Sequence, residues 1–379
     1  MVRRRGKHDL YNFVNKILSK MKITNVAVQN LTSLVTFDVY RDWKIVIELF
    51  LRIESYVVSN MQVPADLLFQ LVELAPKVSS QQIVKMTLTL DQNLLYWALM
   101  HEVVNTMEIL LKNGANVNLV NDDGYVPIHL AASWGNLDSI KLMNNYGVDI
   151  NASGPGGWKA IHHAVSGQFV EVVQYLLANG AEVNPRDVEQ KMPIHIAAAN
   201  GCTRIIDLLL CHGANLVAKG CNGWLPLHYA ACNKHSKAAQ LLVENGSDYL
   251  SVNDQGFTPI DYAIMYGSVS IFELLVKKGA TVSQDSILLA IEEHCVDMIQ
   301  PLTEYGLDVN EKIGPFGNPA FHEAVECGCI RCVEALKECI KFGANTNLKD
   351  DEGKTTLEQA IAKGRINVFK FLSQNYNLK

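Results

Sequence analysis

"PIHLAASWG", residues 127–135, decides the fold because the chain writes it again. The same slot holds "AIHHAV" at 160, "PIHIAA" at 193, "PLHYAA" at 226 and "PIDYAI" at 259, each 33 residues after the last. A catalytic motif occurs once, whereas a motif at a fixed period is architecture. Two markers carry the register outward. Alanine recurs at Ala98, Ala131, Ala164, Ala197, Ala230, Ala263, Ala290, Ala324 and Ala360. Glycine recurs at Gly114, Gly147, Gly180, Gly213, Gly246, Gly279, Gly306 and Gly343. Seven of the eight alanine-to-glycine gaps are 16 residues and the last is 19. Between the markers lies an apolar run such as "VVQYLL" at 172 or "IIDLLL" at 205.

Each piece of the period has a local reason. Proline suits the first turn of a helix, where its missing N–H has no partner to lose. Small alanines let a second helix pack close. The marker glycine ends the second helix in the left-handed conformation. The polar stretch before the next proline, "NDDGY" or "CNGW", is a tight turn. One unit is therefore helix, turn, helix, hairpin-like tip. Such a unit cannot bury its apolar face alone, so neighbours must stack.

"NDDGYVPIHLAA" at 121, "CNGWLPLHYAA" at 221 and "NDQGFTPIDYAI" at 253 resemble the ankyrin-repeat family, whose pattern is D-x-x-G-x-T-P-L-H-x-A-A. The resemblance covers residues 84–379 and implies an all-α ankyrin-repeat solenoid. On this reading 84–120 is a degenerate first repeat, 121–282 are five regular repeats, and 283–379 are irregular C-terminal repeats and a cap. Residues 1–83 lack the period, but "YNFVNKIL" and "PADLLFQLVELAP" have helical apolar spacing. They are expected to form a helical N-terminal domain that covers the end of the stack.

The resemblance also implies that the imidazoles of His129, His162, His195, His228 and His322 bridge backbone groups of adjacent loops. It further implies that Asn118, Asn151, Asn184 and Asn310 pair loop backbone, and it associates such asparagines with hydroxylation. The sequence departs from the family where a threonine usually caps the first helix. That slot holds Val126, Lys159, Met192 and Leu225, and only Thr258 conforms. A lost cap costs roughly 1 kcal/mol, so these units are expected to be softer.

The period breaks after Ala263. The next marker, Ala290, comes 27 residues later, and the six missing residues fall in the tip "TVSQDSILLA". Pro301 then falls inside an expected second helix, where it removes a hydrogen bond and bends the chain. The unit after that is longer, near "ALKECIKFG". Drift at the end of an array and a hinge both fit this pattern.

Composition excludes several classes. The chain has 379 residues, 49% hydrophobic and 19% charged, with a net charge of −6. That balance gives no case for nucleic acid as the partner. The longest apolar stretch, "WKIVIELFLRIESYVV", carries Lys44, Glu48, Arg52 and Glu54, so no membrane span is expected. No secretory signal is visible. Nine cysteines without framework spacing read as reduced thiols of a cytoplasmic or nuclear protein.

Chemistry is absent from the motifs. Cys329, Cys332 and Cys339 are the best metal candidates, but zinc sites draw on two separated ligand pairs, and Cys332 falls in the apolar slot of Val172 and Ile205. No metal and no cofactor is expected. No phosphate loop, nucleophile elbow or H-E-x-x-H occurs. A general base needs a positioned partner, and none recurs beside the five histidines. The chain reads as no enzyme.

What remains is surface. Stacked units make a concave face of loop tips and first helices. The tip row is Tyr125, Trp158, Lys191, Trp224 and Phe257; the helix row includes Trp134, Asn200, Asn233, Met265 and Tyr266. Aromatic and methionine side chains are common interface anchors, although large tip residues equally well pack on the next tip. The chain is read as a scaffold that holds a peptide or helix of a protein partner in this face, and as a monomer outside that complex. The alternatives are a substrate-recognition subunit of a ubiquitin ligase, or a secreted or injected effector that acts by protein binding.

Overall fold

The computed structural model describes residues 94–375, apart from 101, 103, 113, 114, 314–317, 328 and 329. The helical domain expected over 1–83 lies outside the described residues. The chain divides into two compact units, 1–181 and 182–379.

In the first unit the described helices come in pairs. They are α1 (Leu94–Met100) with α2 (Val104–Lys112), α3 (Pro127–Trp134) with α4 (Leu137–Asn145), and α5 (Ala160–Ser166) with α6 (Val170–Ala178). The first helices α1, α3 and α5 pack side by side, and α2, α4 and α6 form a layer behind them. The repeated alanines explain the spacing, because Ala98, Ala131, Ala132 and Ala164 are fully buried where first helices meet. Ile128, Met107, Ile140, Met143 and Leu176 fill the space between the layers. Burying each such large side chain stabilises by about 1.5–3 kcal/mol, and the burial needs the neighbouring pair.

The second unit continues the plan. Its pairs are α7 (Pro193–Asn200) with α8 (Thr203–Cys211), α9 (Pro226–Cys232) with α10 (Ser236–Glu244), and α11 (Pro259–Met265) with α12 (Val269–Lys277). Then follow α13 (Asp285–Glu292) with α14 (Ile299–Tyr305), α15 (Ala320–Cys327) with α16 (Ile330–Lys341), and α17 (Thr356–Ala362) with α18 (Ile366–Asn375). The tips close with one backbone hydrogen bond across a turn: Asp187 N to Lys191 O at 3.0 Å, Gly220 N to Trp224 O at 2.8 Å, Asn253 N to Phe257 O at 2.9 Å. Where the tip begins with Asp187 or Asn253, its side-chain oxygen also accepts the amide of Lys191 or Phe257. One tip is a short antiparallel strand pair, Lys312–Ile313 with Asn318–Pro319.

The asparagines tie consecutive loops together. Asn184 Nδ2 donates to Gly213 O at 3.0 Å, and its Oδ1 accepts the amide of Asn215 at 2.9 Å. Asn118 does the same with Gly147 and Asp149, and Asn310 with Gly343 and Asn345.

The irregular block differs from expectation at Pro301. A 3₁₀ turn over Val296–Met298 precedes α14, so Pro301 is the third residue of that helix and lies in its first turn. There a missing N–H costs little. The expected bend from an interior proline is therefore corrected: the tightened turn takes up the proline. Between α12 and α13 only residues 278–284 intervene, without a projecting tip. The extra residues of the next unit lengthen α16 to 12 residues, against 9 in α8, α10 and α12.

Candidate functional site

In each unit, the side made by first helices and tips carries histidines that link helix to tip. In α7 the ring of His195 accepts the amide of Met192 at Nδ1, 3.0 Å away, and meets Ala218 O of the next tip at Nε2, 2.9 Å away. His228 repeats this with Leu225 N at 3.1 Å and Phe257 O at 3.2 Å, and His129 with Val126 N at 3.1 Å and Ala152 O at 2.8 Å. His162 accepts Lys159 N at 3.0 Å. In His129, His195 and His228, one nitrogen therefore serves the N-terminus of its own helix and the other a following loop. The first half of that arrangement stands in for the absent threonine caps: Val126, Met192 and Leu225 make no side-chain cap, and an imidazole takes their amides instead.

Since Nδ1 accepts, the proton sits on Nε2, and the ring works only when neutral. Burial pushes the pKa of His195 and of His228 down to about 4. It lowers those of His129 and His322 as well. His322 differs at Nδ1. The residue before α15 is Pro319, which has no amide hydrogen, and the buried Nδ1 of His322 has no hydrogen-bond partner. Burial and these bonds keep the rings of His129, His195 and His228 neutral near pH 7.

The tip row is half-buried rather than free. The Trp224 ring lies 4.5 Å from that of Tyr262 and 4.9 Å from that of Tyr229. Phe257 lies 6.0 Å from Tyr262. Lys191 is held 2.6 Å from Glu189. In the first unit, Tyr125 and Trp158 both pack on His163, at 5.9 and 5.0 Å. That histidine occupies the slot of Tyr229 and Tyr262, and burial carries its pKa down to about 4.

The helix row divides. Trp134 is 44% exposed at the end of α3, and Tyr266 is 42% exposed just after α11. Tyr266 stacks on Tyr262, centroids 6.4 Å apart and planes 19° apart. Met265 and Asn200 are half-buried. Asn233 is exposed, with its Nδ2 donating to Tyr229 O at 2.9 Å. Trp224, Tyr229, Phe257, Tyr262 and Tyr266 thus form one strip in the second unit. Tyr229 and Tyr262 were missed by the sequence reading, although each directly follows the "PLH" or "PID" triplet and the period marks that slot. Beside Tyr266 opens a cleft of about 330 Å³, lined among others by Lys234, Glu293, His294, Cys295, Asp297, Arg331 and Glu334.

Among the described residues no three His, Cys, Asp or Glu side chains come together as a metal site, and no helix is long and apolar enough to cross a membrane. Cys329 and the side chain of Cys332 lie outside the described residues. Cys339 is fully buried, and burial pushes its thiol up to about 12, which opposes metal binding and nucleophilic chemistry.

A family model described as ankyrin repeats (3 copies) matches residues 62–154, 153–220, 194–286 and 287–379. The matched stretches begin upstream of residue 84 and take in well over half of the chain.

Proposed function

The chain belongs to the ankyrin-repeat family, and from that premise we propose that it is a non-catalytic scaffold holding one protein partner on the face of its first helices and tips. Ankyrin repeats are in general protein-interaction scaffolds and typically carry no catalysis. The observation that carries the finer reading is the exposure of two large rings, Trp134 and Tyr266, at the same end of first helices whose other apolar residues are buried or, for Leu130 and Met265, half-buried. A rigid, projecting aromatic side chain gives large contact area at small entropic cost. The repeated histidines His129, His195, His228 and His322 support the same reading, because each ties its first helix to the carbonyl of a following tip and so holds the tips in place.

The test is affinity purification of the full chain with mass spectrometry, repeated with Trp134→Ala and Tyr266→Ala. A partner of this face should bind about tenfold more weakly to at least one variant, or about 1.4 kcal/mol, while both variants melt with the parent. Partners retained equally by both variants would remove the face from the reading.

A further inference from the structure

Two of the cations on the tips of the second unit are already paired. Lys191 pairs with Glu189 at 2.6 Å and Lys312 with Asp351 at 3.0 Å. Among the described residues, Glu292, Glu293 and Glu323 form no ion pair; Glu323 accepts only from Asn318, at 3.0 Å. Glu323 and Glu293 both lie near Glu292, whose carboxyl is held above its ordinary range by burial first, then by Glu323 and Glu293. Glu292 ends α13 and Glu293 follows it; α13 packs on α11, which Tyr266 directly follows. Glu293 and Tyr266 line the same cleft. Lys234 and Arg331 line it too, against Glu293, Asp297 and Glu334, so its sign stays negative. An aromatic face beside unpaired carboxylates suits a lysine or arginine head, which gains from the ring quadrupole and from charge-assisted hydrogen bonds.

We propose that this surface, Trp224, Tyr229 and Tyr266 with Glu292, Glu293 and Glu323, takes a basic segment of a partner protein. A lysine or arginine of that segment sits against Tyr266 beside Glu293, and flanking apolar side chains lie along Tyr229 and Trp224. The inference rests on the protein-binding reading above and adds the chemistry of the partner.

The probe is a phage-displayed library of random 16-residue peptides, panned against the full chain. Enriched peptides should carry a net positive charge. Measured by fluorescence polarisation, they should bind at least fivefold more weakly to the triple variant E292Q/E293Q/E323Q and to Tyr266→Ala, and more weakly as salt rises. A second variant, E292K/E293K, should fail to enrich basic peptides at all. Circular dichroism melting confirms that each variant is folded; every substitution lies on an exposed side chain or, at Glu323, keeps the shape of the glutamate. Neutral or acidic enriched peptides that still depend on Tyr266 would overturn the basic partner and leave the protein-binding face standing. Enriched peptides indifferent to both Tyr266→Ala and the triple variant, or no enrichment, would overturn both.

Discussion

His195 cannot gain a proton without losing a partner. Its Nδ1 holds the amide of Met192 and its Nε2 donates to Ala218 O, so a second ring proton would point at an N–H. The folded pKa, about 4, lies below the ordinary 6.5. The unfolded state therefore binds more protons in between, and stability must fall as pH drops from about 6.5 to about 4. Each such histidine contributes a slope of up to about 1.4 kcal/mol per pH unit. Urea unfolding across that window should show the loss, with a shallower slope in His195→Asn; a flat profile would contradict the bonding described. A second residue-scale prediction concerns glycines. Gly201 and Gly213 both have positive φ, +69° and +86°. A Cβ on Gly201 would come within 2.5 Å of the His235 ring, whereas Gly213 has open space around it. Gly213→Ala should cost about 1 kcal/mol for the left-handed backbone alone. Gly201→Ala should cost about 1–3 kcal/mol more, for the overpacking. Equal losses in chemical denaturation would show that His235 moves aside freely.

At the scale of helix and tip, Trp224 and Tyr266 part company. The Trp224 ring is sandwiched near Tyr229 and Tyr262, whereas Tyr266 leans on one ring and faces outward. Trp224→Ala should lower unfolding free energy by about 2 kcal/mol, less than for a fully buried tryptophan. Tyr266→Ala should stay within about 0.5 kcal/mol of the parent. The reverse order in calorimetry would make Tyr266 the packing residue. The sequence announced the helices, the tips and the buried histidines because the 33-residue period repeats them in one environment. It left the tip row open between packing and binding. Period shows that Trp224 and Phe257 hold equivalent slots, but ring-to-ring packing depends on Tyr229 and Tyr262, whose partners lie on another turn or another pair. The expected bend at Pro301 failed for a similar reason, since a local rule about proline could not see a 3₁₀ turn ahead of it.

Across the second unit, the loop ties are uneven, and the molecule should open where they thin out. Asn184 and Asn310 each link two loops with two hydrogen bonds. The same slot holds Val217, Leu250 and Ser283 in between. Val217 and Leu250 are exposed instead of bonded. At the second of these steps Tyr249 substitutes, its hydroxyl donating to Lys278 O at 2.7 Å. Lys219 Nζ adds a tie to Val252 O at 3.0 Å. Beyond 278 the tip itself is missing, so α13 follows α12 without the hydrogen-bonded turn that fixes its predecessors. The second-layer contact at this step includes Phe272 against Tyr305, with centroids 6.4 Å apart. In a stacked array each pair is stabilised chiefly by its neighbours, so a thin step lowers the local opening free energy on its far side. Native-state hydrogen exchange should therefore find the amides of α13 and α14 exchanging faster than those of α9 to α12, by about tenfold or more for each 1.4 kcal/mol of lost coupling. Restoring an asparagine at 283 should narrow the difference by returning one loop tie. Equal protection on both sides of residue 278 would mean that helix packing alone holds this step, and that the tips contribute to the binding surface but not to the stability of the stack.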